Sequence, residues 1–276
     1  MPDMQVLNIK TEAKYEALKQ YISRLGSVAV ALSGGVDSSL LAKVCFDVLG
    51  NRSIAVTIVS PLLSGKELAD AQQVSSMIGI RHILLQEKEI DPEVEKNPFN
   101  RCFFCKKKEF GWVIEEAKRQ GIEYVLDGSN ADDVNDYRPG AKAADELQVK
   151  SPLQVVGLTK NEIRELSRLF DLPTVDKPAY ACLASRIPYG EEITLEKLER
   201  IEKAEVFLQS LGFREVRVRS HDAIARIEVA PSEREKLFST DLMDRMSKEL
   251  KSYGFLYVCM ELEGYSLGSL NRKIKK

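Results

Sequence analysis

A short apolar run that ends in two glycines constrains the fold of this chain more than any other feature. Residues 27–32 (SVAVAL) suit a buried parallel strand, and residues 33–39 (SGGVDSS) follow at once. Apolar periodicity resumes from Ser38 to Leu49 and stops at Gly50, which predicts a helix. This order of strand, glycine turn and helix brings the first N–H groups and the positive dipole end of the helix to one point. We therefore expect an anion-binding loop there.

The side chains of this loop indicate which anion it binds. The glycines allow a tight turn that brings backbone amides close to a ligand, and the serines add hydroxyl donors, so the loop suits a pyrophosphate. A Walker loop is excluded because no Gly-Lys-Ser/Thr is present. A carboxylate among phosphates needs a cation such as Mg²⁺, which gives Asp37 a catalytic role. The alternative is an ordinary helix start with capping serines, but the complete string favours nucleotide binding. The candidates are Ser33, Gly34, Gly35, Val36, Asp37, Ser38 and Ser39.

The first two thirds of the chain alternate between strand and helix patterns. Further strands are predicted at 54–59, 82–85 and 124–127, and further helices at 11–25, 67–79 and 105–121. Such alternation predicts an α/β fold with a parallel sheet, in which ligands bind at the carboxyl ends of the strands.

The pattern changes after a proline-rich segment at 172–190, which we interpret as an active-site loop joining two domains. The predicted elements beyond it are a helix at 194–211 capped by Thr194, hairpin strands at 215–220 and 224–229, a helix at 232–253 and a strand at 255–262. The sequence thus predicts a domain at 1–178 and a smaller C-terminal α+β domain at 179–276, for substrate binding or oligomerisation.

Composition narrows the class of protein. The chain has 40 basic and 42 acidic residues and a pI of about 5.9, which argues against a strongly basic nucleic-acid binder. The N-terminus lacks a signal-peptide pattern, and no apolar run approaches the ~18 residues of a membrane span. We expect a soluble cytoplasmic protein without a nucleic-acid or membrane partner. An odd count of 5 cysteines without an export signal argues against a disulfide framework.

The SGGVDSS string resembles the PP-loop of N-type ATP pyrophosphatases, a superfamily that includes NAD synthetase, GMP synthetase, argininosuccinate synthetase and tRNA thiolases. The resemblance implies that ATP is cleaved between its α and β phosphates and that an oxygen is adenylated. A nitrogen or sulfur nucleophile then displaces AMP.

Three further strings resemble the LarE family of sulfur transferases, and the resemblance covers nearly the whole chain. They are LDGSNADDVNDYRPG at 126–140, AYACLASRIPYG at 179–190, and VRVR at 216–219 followed by ARIE at 225–228. The resemblance implies ATP and Mg²⁺ as cofactors, with Gly128 at the nucleotide. The implied substrate is pyridinium-3,5-biscarboxylic acid mononucleotide, whose carboxylates become thiocarboxylates on the way to the nickel-pincer cofactor of lactate racemase. It also implies a homo-oligomer, with a hexamer as one candidate. Two interpretations of Asp132, Asp133 and Arg138 stay open: they help to form the nucleotide or substrate cleft, or they belong to a charged loop.

Alternating arginines suggest where the substrate phosphate binds. Arg217 and Arg219 face one side of their strand, and two guanidinium groups suit a phosphate monoester. Ser185 and Arg186 would complete the site. The alternative is a solvated strand face with an Arg–Glu pair, which the residues alone favour and the family resemblance outweighs.

The cysteines bear on the sulfur source. Cys102 and Cys105 form a CxxC, and Cys182 lies in the proline-rich loop. LarE proteins are of two sorts: one sacrifices the sulfur of a cysteine at the position of Cys182, and the other holds a 4Fe-4S cluster on three cysteines. The three-cysteine pattern favours a cluster on Cys102, Cys105 and Cys182, with sulfide attacking the adenylated carboxylate. Zinc would need a fourth ligand, which is not evident. We expect Cys45 and Cys259 to be packed core thiols.

Three other functions remain open from the sequence. A tRNA thiolase would need an RNA-binding surface, which the acidic pI disfavours. An amidating synthetase would leave the three cysteines without a role. A non-catalytic nucleotide or metal sensor would not need an intact SGGVDSS.

Overall fold

The computed structural model describes residues 8–135, 139–177 and 181–266. The chain divides into two compact units, the first containing Met1–Lys88 and Asn100–Tyr180 and the second containing Glu89–Phe99 and Ala181–Lys276. The predicted boundary between residues 178 and 179 lies outside the described residues. The segment 89–99 belongs to the second unit although it lies, in sequence, within the first.

The predicted elements occur in the predicted order. The helices are α1 (Ile9–Leu25), α2 (Val36–Leu49), α3 (Gly65–Ile78), α4 (Pro92–Glu95), α5 (Arg101–Arg119), α6 (Pro139–Glu146), α7 (Pro152–Val155), α8 (Lys160–Leu169), α9 (Leu195–Ser210) and α10 (Thr240–Ser252). Of these, α4, α6, α7 and α8 have no counterpart among the predicted helices. The strands are β1 (Val28–Ala31), β2 (Ser53–Val59), β3 (Arg81–Gln86), β4 (Tyr124–Leu126), β5 (Val216–His221), β6 (Ile224–Val229) and β7 (Tyr257–Met260). Short 3₁₀ helices cover Gly50–Arg52, Ala131–Asn135, Leu183–Arg186 and Pro231–Phe238. Within the described ranges, no helix is long and apolar enough to cross a bilayer.

Four parallel strands form the sheet of the first unit, in the order β3-β2-β1-β4. The strand order reverses beside β1, because β2 lies on one side of it and β4 on the other. Ligands of such sheets bind where the order reverses, at the carboxyl ends of the strands. The segments that follow β1 and β4 are therefore where a site is expected. The predicted α/β fold with a parallel sheet is confirmed.

Both faces of this sheet are covered by apolar layers. Val28 and Val30 of β1 face the layer that contains the buried side of α2, whereas Ala29 faces the layer that contains Phe110 of α5. Burial on both faces explains why β1 (VAVA) is continuously apolar. Cys45 lies in the α2 layer with no exposed surface, and its burial raises the pKa of the thiol. Its predicted place in the core is confirmed.

The second unit is built on a three-stranded mixed sheet, in the order β5-β6-β7. The predicted hairpin is present: β5 and β6 pair antiparallel, with Arg217 opposite Glu228 and Arg219 opposite Arg226. β7 pairs parallel with β6. Thr194 caps α9 as predicted, accepting a hydrogen bond from the backbone N–H of Lys197 at 3.2 Å.

Two predictions for this unit are wrong. The helix expected at 232–253 is interrupted at Ser239, whose extended backbone separates a 3₁₀ helix from α10. The Ser239 side chain accepts a hydrogen bond from Leu242 N at 3.4 Å, because serine is more favourable as a helix cap than inside a helix. Cys259 is exposed rather than packed, since β7 covers only part of the predicted strand and lies last in the sheet order.

A buried ion pair links α9 to the segment before the hairpin. Glu205 accepts hydrogen bonds from Nε and Nη2 of Arg186 at 2.8 and 2.9 Å, and from the backbone N–H of Val218 at 3.0 Å. The side chains of Arg186 and Glu205 are 2% and 7% exposed. A charged pair so far from water is stable only because its hydrogen bonds are satisfied.

We expect Glu205→Ala to lower the free energy of unfolding of the second unit by about 3–5 kcal/mol, since Arg186 would lose its buried counter-charge. Urea denaturation monitored by circular dichroism measures the change. Glu199→Ala is the matched control on the same helix: Glu199 pairs with Lys203 on the surface, and its loss should change stability by at most about 0.5 kcal/mol. Equal losses in the two variants would contradict this role of Glu205.

Candidate active site

The loop after β1 is forced into its shape by a close approach to α3. Gly34 has a φ of +70°, a backbone conformation that residues other than glycine rarely adopt. A Cβ on Gly34 would come within 2.7 Å of the carbonyl oxygen of Glu67 and 2.9 Å of the backbone nitrogen of Ala71. Only glycine fits there without moving the backbone of α3.

The first turn of α2 presents its N–H groups beside this glycine turn. The helix begins at Val36 with Gly35 as N-cap, two residues before the predicted start. Ser39 N donates to Gly35 O at 3.0 Å, so the N–H groups of residues 36–38 precede the first hydrogen bond of the helix ladder. The hydroxyls of Ser33 and Ser38 are 3.1 Å apart, whereas the Ser39 hydroxyl donates to Gly35 O at 2.7 Å. Backbone donors and two hydroxyls thus converge at the start of α2.

The segment after β4 packs directly against this helix start. A Cβ on Gly128 would lie 2.9 Å from the backbone nitrogen of Ser38, so glycine leaves room above the donors of α2. The turn is fixed by Asp127, which accepts hydrogen bonds from the Ser151 hydroxyl at 2.6 Å and the Ser129 hydroxyl at 2.7 Å. The sequence singled out Gly128; the roles of Asp127 and Ser151 become visible only in the fold.

Asp37 has a positive partner that the sequence analysis missed. The Lys160 ammonium, at the start of α8, forms an ion pair with the Asp37 carboxylate, and Asn130 Nδ2 donates to the same carboxylate at 3.4 Å. Asp132 accepts a hydrogen bond from Lys160 N at 2.8 Å, and Asp133 accepts one from Asn130 N at 3.0 Å. Asp132 thus connects the segment after β4 to the start of α8, and Asp133 stabilises the turn of that segment. Arg138 lies outside the described residues.

A second lysine was also missed. Lys177 donates to the carbonyl oxygen of Gly34 at 2.9 Å and forms an ion pair with Asp70 of α3. Lys177 lies in the segment 172–190 that is predicted to be an active-site loop, but nothing in the sequence singles out this residue or Lys160. Lys160 and Lys177 lie 123 and 143 residues from their partners in the loop after β1. Only the fold brings them to the loop.

The CxxC lies inside α5, because this helix begins at Arg101 rather than at the predicted residue 105. Cys102 and Cys105 are therefore one turn apart on one helix face, and both thiols are partly exposed. The Cys105 thiol donates to Glu109 Oε1 at 3.2 Å. Two thiol ligands on one face suit a metal centre.

Cys182 belongs to the second unit, where it is partly exposed and immediately precedes a 3₁₀ helix. Across the described residues, no group of three or more His, Cys, Asp or Glu side chains is arranged to hold a metal ion. The complete three-cysteine set therefore stays a prediction.

The predicted phosphate-binding residues all lie in the second unit. The Ser185 hydroxyl accepts a hydrogen bond from Arg186 Nη1 at 2.9 Å, and the Ser185 carbonyl accepts one from Arg219 Nη1 at 2.8 Å. Arg219 also pairs with Glu228 at 2.8 Å. Arg217 lies over the Tyr265 ring at 5.0 Å. The fold thus connects three of the four residues by hydrogen bonds, and it buries Arg186, Arg217 and Arg219.

Comparisons with known proteins identify relatives of this chain. The family model for NAD synthase matches residues 10–103, which include the loop after β1. Pyridinium-3,5-bisthiocarboxylic acid mononucleotide synthase of Lactiplantibacillus plantarum is 35% identical over 276 residues, covering 99% of this chain and 98% of that protein. An uncharacterised protein of Synechocystis sp. is 46% identical over 266 residues, covering 96% and 99% of the two chains.

Similarity to other enzymes with this loop is more limited. The tRNA-specific 2-thiouridylase MnmA of Treponema denticola is 35% identical over 122 residues, covering 38% of this chain and 33% of that protein. The similarity to the Lactiplantibacillus plantarum enzyme, in contrast, extends through both units. The chain therefore belongs to the LarE family, that of the pyridinium-3,5-bisthiocarboxylic acid mononucleotide synthase.

Proposed function

We propose that the protein uses ATP to replace carboxylate oxygen by sulfur in pyridinium-3,5-biscarboxylic acid mononucleotide. The observation that carries the proposal is the start of α2, which lies where the strand order reverses and is approached closely at Gly34 and Gly128. The chain is also related over nearly its full length to a pyridinium-3,5-bisthiocarboxylic acid mononucleotide synthase. A substrate carboxylate oxygen attacks the α-phosphorus of ATP, and the bond from that phosphorus to the bridging oxygen breaks. Pyrophosphate leaves. A sulfur nucleophile then attacks the acyl carbon, and AMP leaves with the carboxylate oxygen.

The residues of the first unit suit the adenylation half of this sequence. The N–H groups of residues 36–38 and the hydroxyls of Ser33 and Ser38 would bind the pyrophosphate oxygens. Asp37 is the carboxylate that would hold Mg²⁺, and its ion pair with Lys160 shows that this position already favours a positive charge. With Mg²⁺ on Asp37, the Lys160 ammonium would be available to a phosphate oxygen.

The second unit offers a place for the phosphate monoester of the substrate. We assign it to Ser185, Arg186, Arg217 and Arg219. Glu228 is 1% exposed and pairs with both Arg219 and Arg226, at 2.8 Å each, so two guanidinium groups share one carboxylate. Glu261 is a second carboxylate for Arg226, at 3.3 Å. A dianionic phosphate beside Arg217 and Arg219 would add negative charge to a region rich in guanidinium groups.

We assign the sulfur chemistry to the three cysteines. Cys102 and Cys105 fit as ligands because their thiols share a helix face and are partly exposed, and Cys182 would complete a 4Fe-4S site. Such a cluster, when bound, supplies sulfide as the nucleophile and leaves Cys182 intact. The competing route consumes the Cys182 sulfur itself. We further propose that the protein works in the cytoplasm as a homo-oligomer, with a hexamer as one candidate.

The nucleotide site is tested by filling the space above Ser38. We expect Gly128→Ala to lower pyrophosphate release from ATP on the order of 100-fold, because its methyl group would displace the N-terminus of α2 from the phosphates. Pyrophosphate is measured by a coupled assay with the biscarboxylate substrate. Gly111→Ala is the control: it also adds a methyl group, but apart from the adjoining backbone of α5 no atom lies within 4 Å of the new carbon. Unchanged pyrophosphate release in Gly128→Ala would contradict the assigned site.

The sulfur source is tested by iron content and by the fate of Cys182. We expect anaerobically purified protein to contain about four iron atoms per chain, and we expect Cys102→Ser to lose the cluster and thiolation. Cys259→Ser is the control, because that thiol is exposed and outside the predicted set. Mass spectrometry after turnover should find Cys182 unchanged. An iron-free, active protein that converts Cys182 to dehydroalanine would establish the sacrificial route instead.

A further inference from the structure

The double glycine of the loop leaves the orientation of one peptide group open. In a trans peptide the C=O and N–H bonds point in opposite directions, so the Gly34–Gly35 peptide offers the nucleotide either a donor or an acceptor. Glycines on both sides accept either orientation at little steric cost, because neither has a Cβ. The freedom that permits the turn therefore does not decide which group faces the phosphates. Another part of the molecule must do so.

Lys177 contacts the carbonyl group of this peptide. Its ammonium donates to the Gly34 carbonyl at 2.9 Å and pairs with Asp70 of α3. The side chains of Lys177 and Asp70 are 10% and 25% exposed. The ion pair is thus largely removed from water, where a charge-assisted hydrogen bond is stronger than on the surface.

The remaining contacts of the loop place N–H groups, rather than carbonyl oxygens, on the side that faces away from Lys177. The Gly35 carbonyl accepts hydrogen bonds from Ser39 N at 3.0 Å and Ser39 Oγ at 2.7 Å, so it is bonded within α2. The Gly34 carbonyl points to Lys177, and the backbone of α3 lies close to Gly34 as well. The Gly35 N–H consequently points away from Lys177.

We propose that Lys177, oriented by Asp70, is a positioning residue that holds the Gly34–Gly35 peptide with its N–H toward the phosphates of ATP. The proposal rests on the proposed function of the loop as the nucleotide site. Without the ammonium, the peptide would lose the contact that favours one of its two orientations over the other. In one of them the partially negative carbonyl oxygen faces the phosphate oxygens and opposes binding.

A binding experiment tests this with a closely matched control. The ligand is the magnesium complex of an ATP analogue that has a methylene group between its α and β phosphorus atoms, titrated calorimetrically. We expect Lys177→Met to bind it on the order of 10-fold more weakly, the effect of one lost charge-assisted hydrogen bond. The control is Lys14→Met: Lys14 also joins a glycine carbonyl, Gly157 O at 2.7 Å, to a helix carboxylate, Glu162 at 2.7 Å, but it does not touch the loop. Lys14→Met should bind as the wild type does.

A spectroscopic measurement reports on the peptide itself. Gly34–Gly35 is the only Gly–Gly pair in the sequence. Protein made with glycine that carries ¹³C at its carbonyl and ¹⁵N at its amide therefore gives a single carbonyl-to-amide correlation in NMR spectra. In the wild type we expect one sharp signal that shifts when the analogue binds. In Lys177→Met we expect a displaced or exchange-broadened signal, which a general loss of stability would not produce. Lys14→Met should keep the wild-type signal.

The outcomes separate this proposal from the function on which it rests. Failure of the wild type to bind the analogue overturns the nucleotide site itself. A different outcome overturns only the role of Lys177. In that outcome the wild type binds the analogue, and Lys177→Met has the same affinity and the same peptide signal as the wild type. If Lys177→Met does not fold, Asp70→Asn is measured instead. We expect a smaller loss of affinity with a displaced signal, and wild-type values in both measurements overturn the proposal.

Discussion

The start of α2 can receive a phosphate only because two other segments approach it without side chains between them. α3 backs against the loop at Gly34, and the turn after β4 lies over Ser38 at Gly128. A methyl group at either position would fall within 3 Å of backbone atoms that cannot move independently of their elements. The strand order of the sheet makes this arrangement possible, since β1 and β4 are neighbours and end side by side. The proposed phosphate site is thus a consequence of backbone packing more than of any single side chain.

Charge around this site is balanced in pairs. The Asp37 carboxylate faces Lys160, and Asp70 faces Lys177. Partly buried carboxylates and ammonium groups are costly unless each has a partner, so both pairs stabilise the fold before any nucleotide arrives. Lys160 lies where a polyphosphate would need a positive charge, and Lys177 lies where the orientation of the Gly34–Gly35 peptide would matter for binding. The same contacts can therefore serve the stability of the free protein and the binding of ATP.

The parts of this molecule that could be predicted from sequence are those with local signals. The alternation of strands and helices, the loop at 33–39 and the hairpin around Asp222 follow from periodicity and glycine positions, and the structure has all three. Lys160 and Lys177 could not be predicted as partners of this loop, because they contact it across more than a hundred residues. The interpretation of 172–190 as an active-site loop did not single out Lys177. The predictions for Cys259 and for the helix at 232–253 are wrong for two different reasons. Apolar neighbours in the sequence suggested that the thiol is buried, but burial depends on what packs against β7. Helical spacing at 232–253 outweighed the local capping preference of Ser239.

The arginines of the second unit form ion pairs within the fold and are also the residues assigned to the substrate phosphate. Alternation on β5 correctly placed Arg217 and Arg219 on one face, but it could not reveal that both are buried. The carboxylate that pairs with Arg219 comes from β6, and the one that pairs with Arg186 comes from α9. Glu205 has three hydrogen bonds from Arg186 and Val218 and is committed to the fold. Glu228 is instead shared between Arg219 and Arg226, so one guanidinium can rearrange toward a phosphate while the carboxylate keeps the other. This difference makes the Arg219–Glu228 pair, rather than the Arg186–Glu205 pair, the one that a bound substrate phosphate would change.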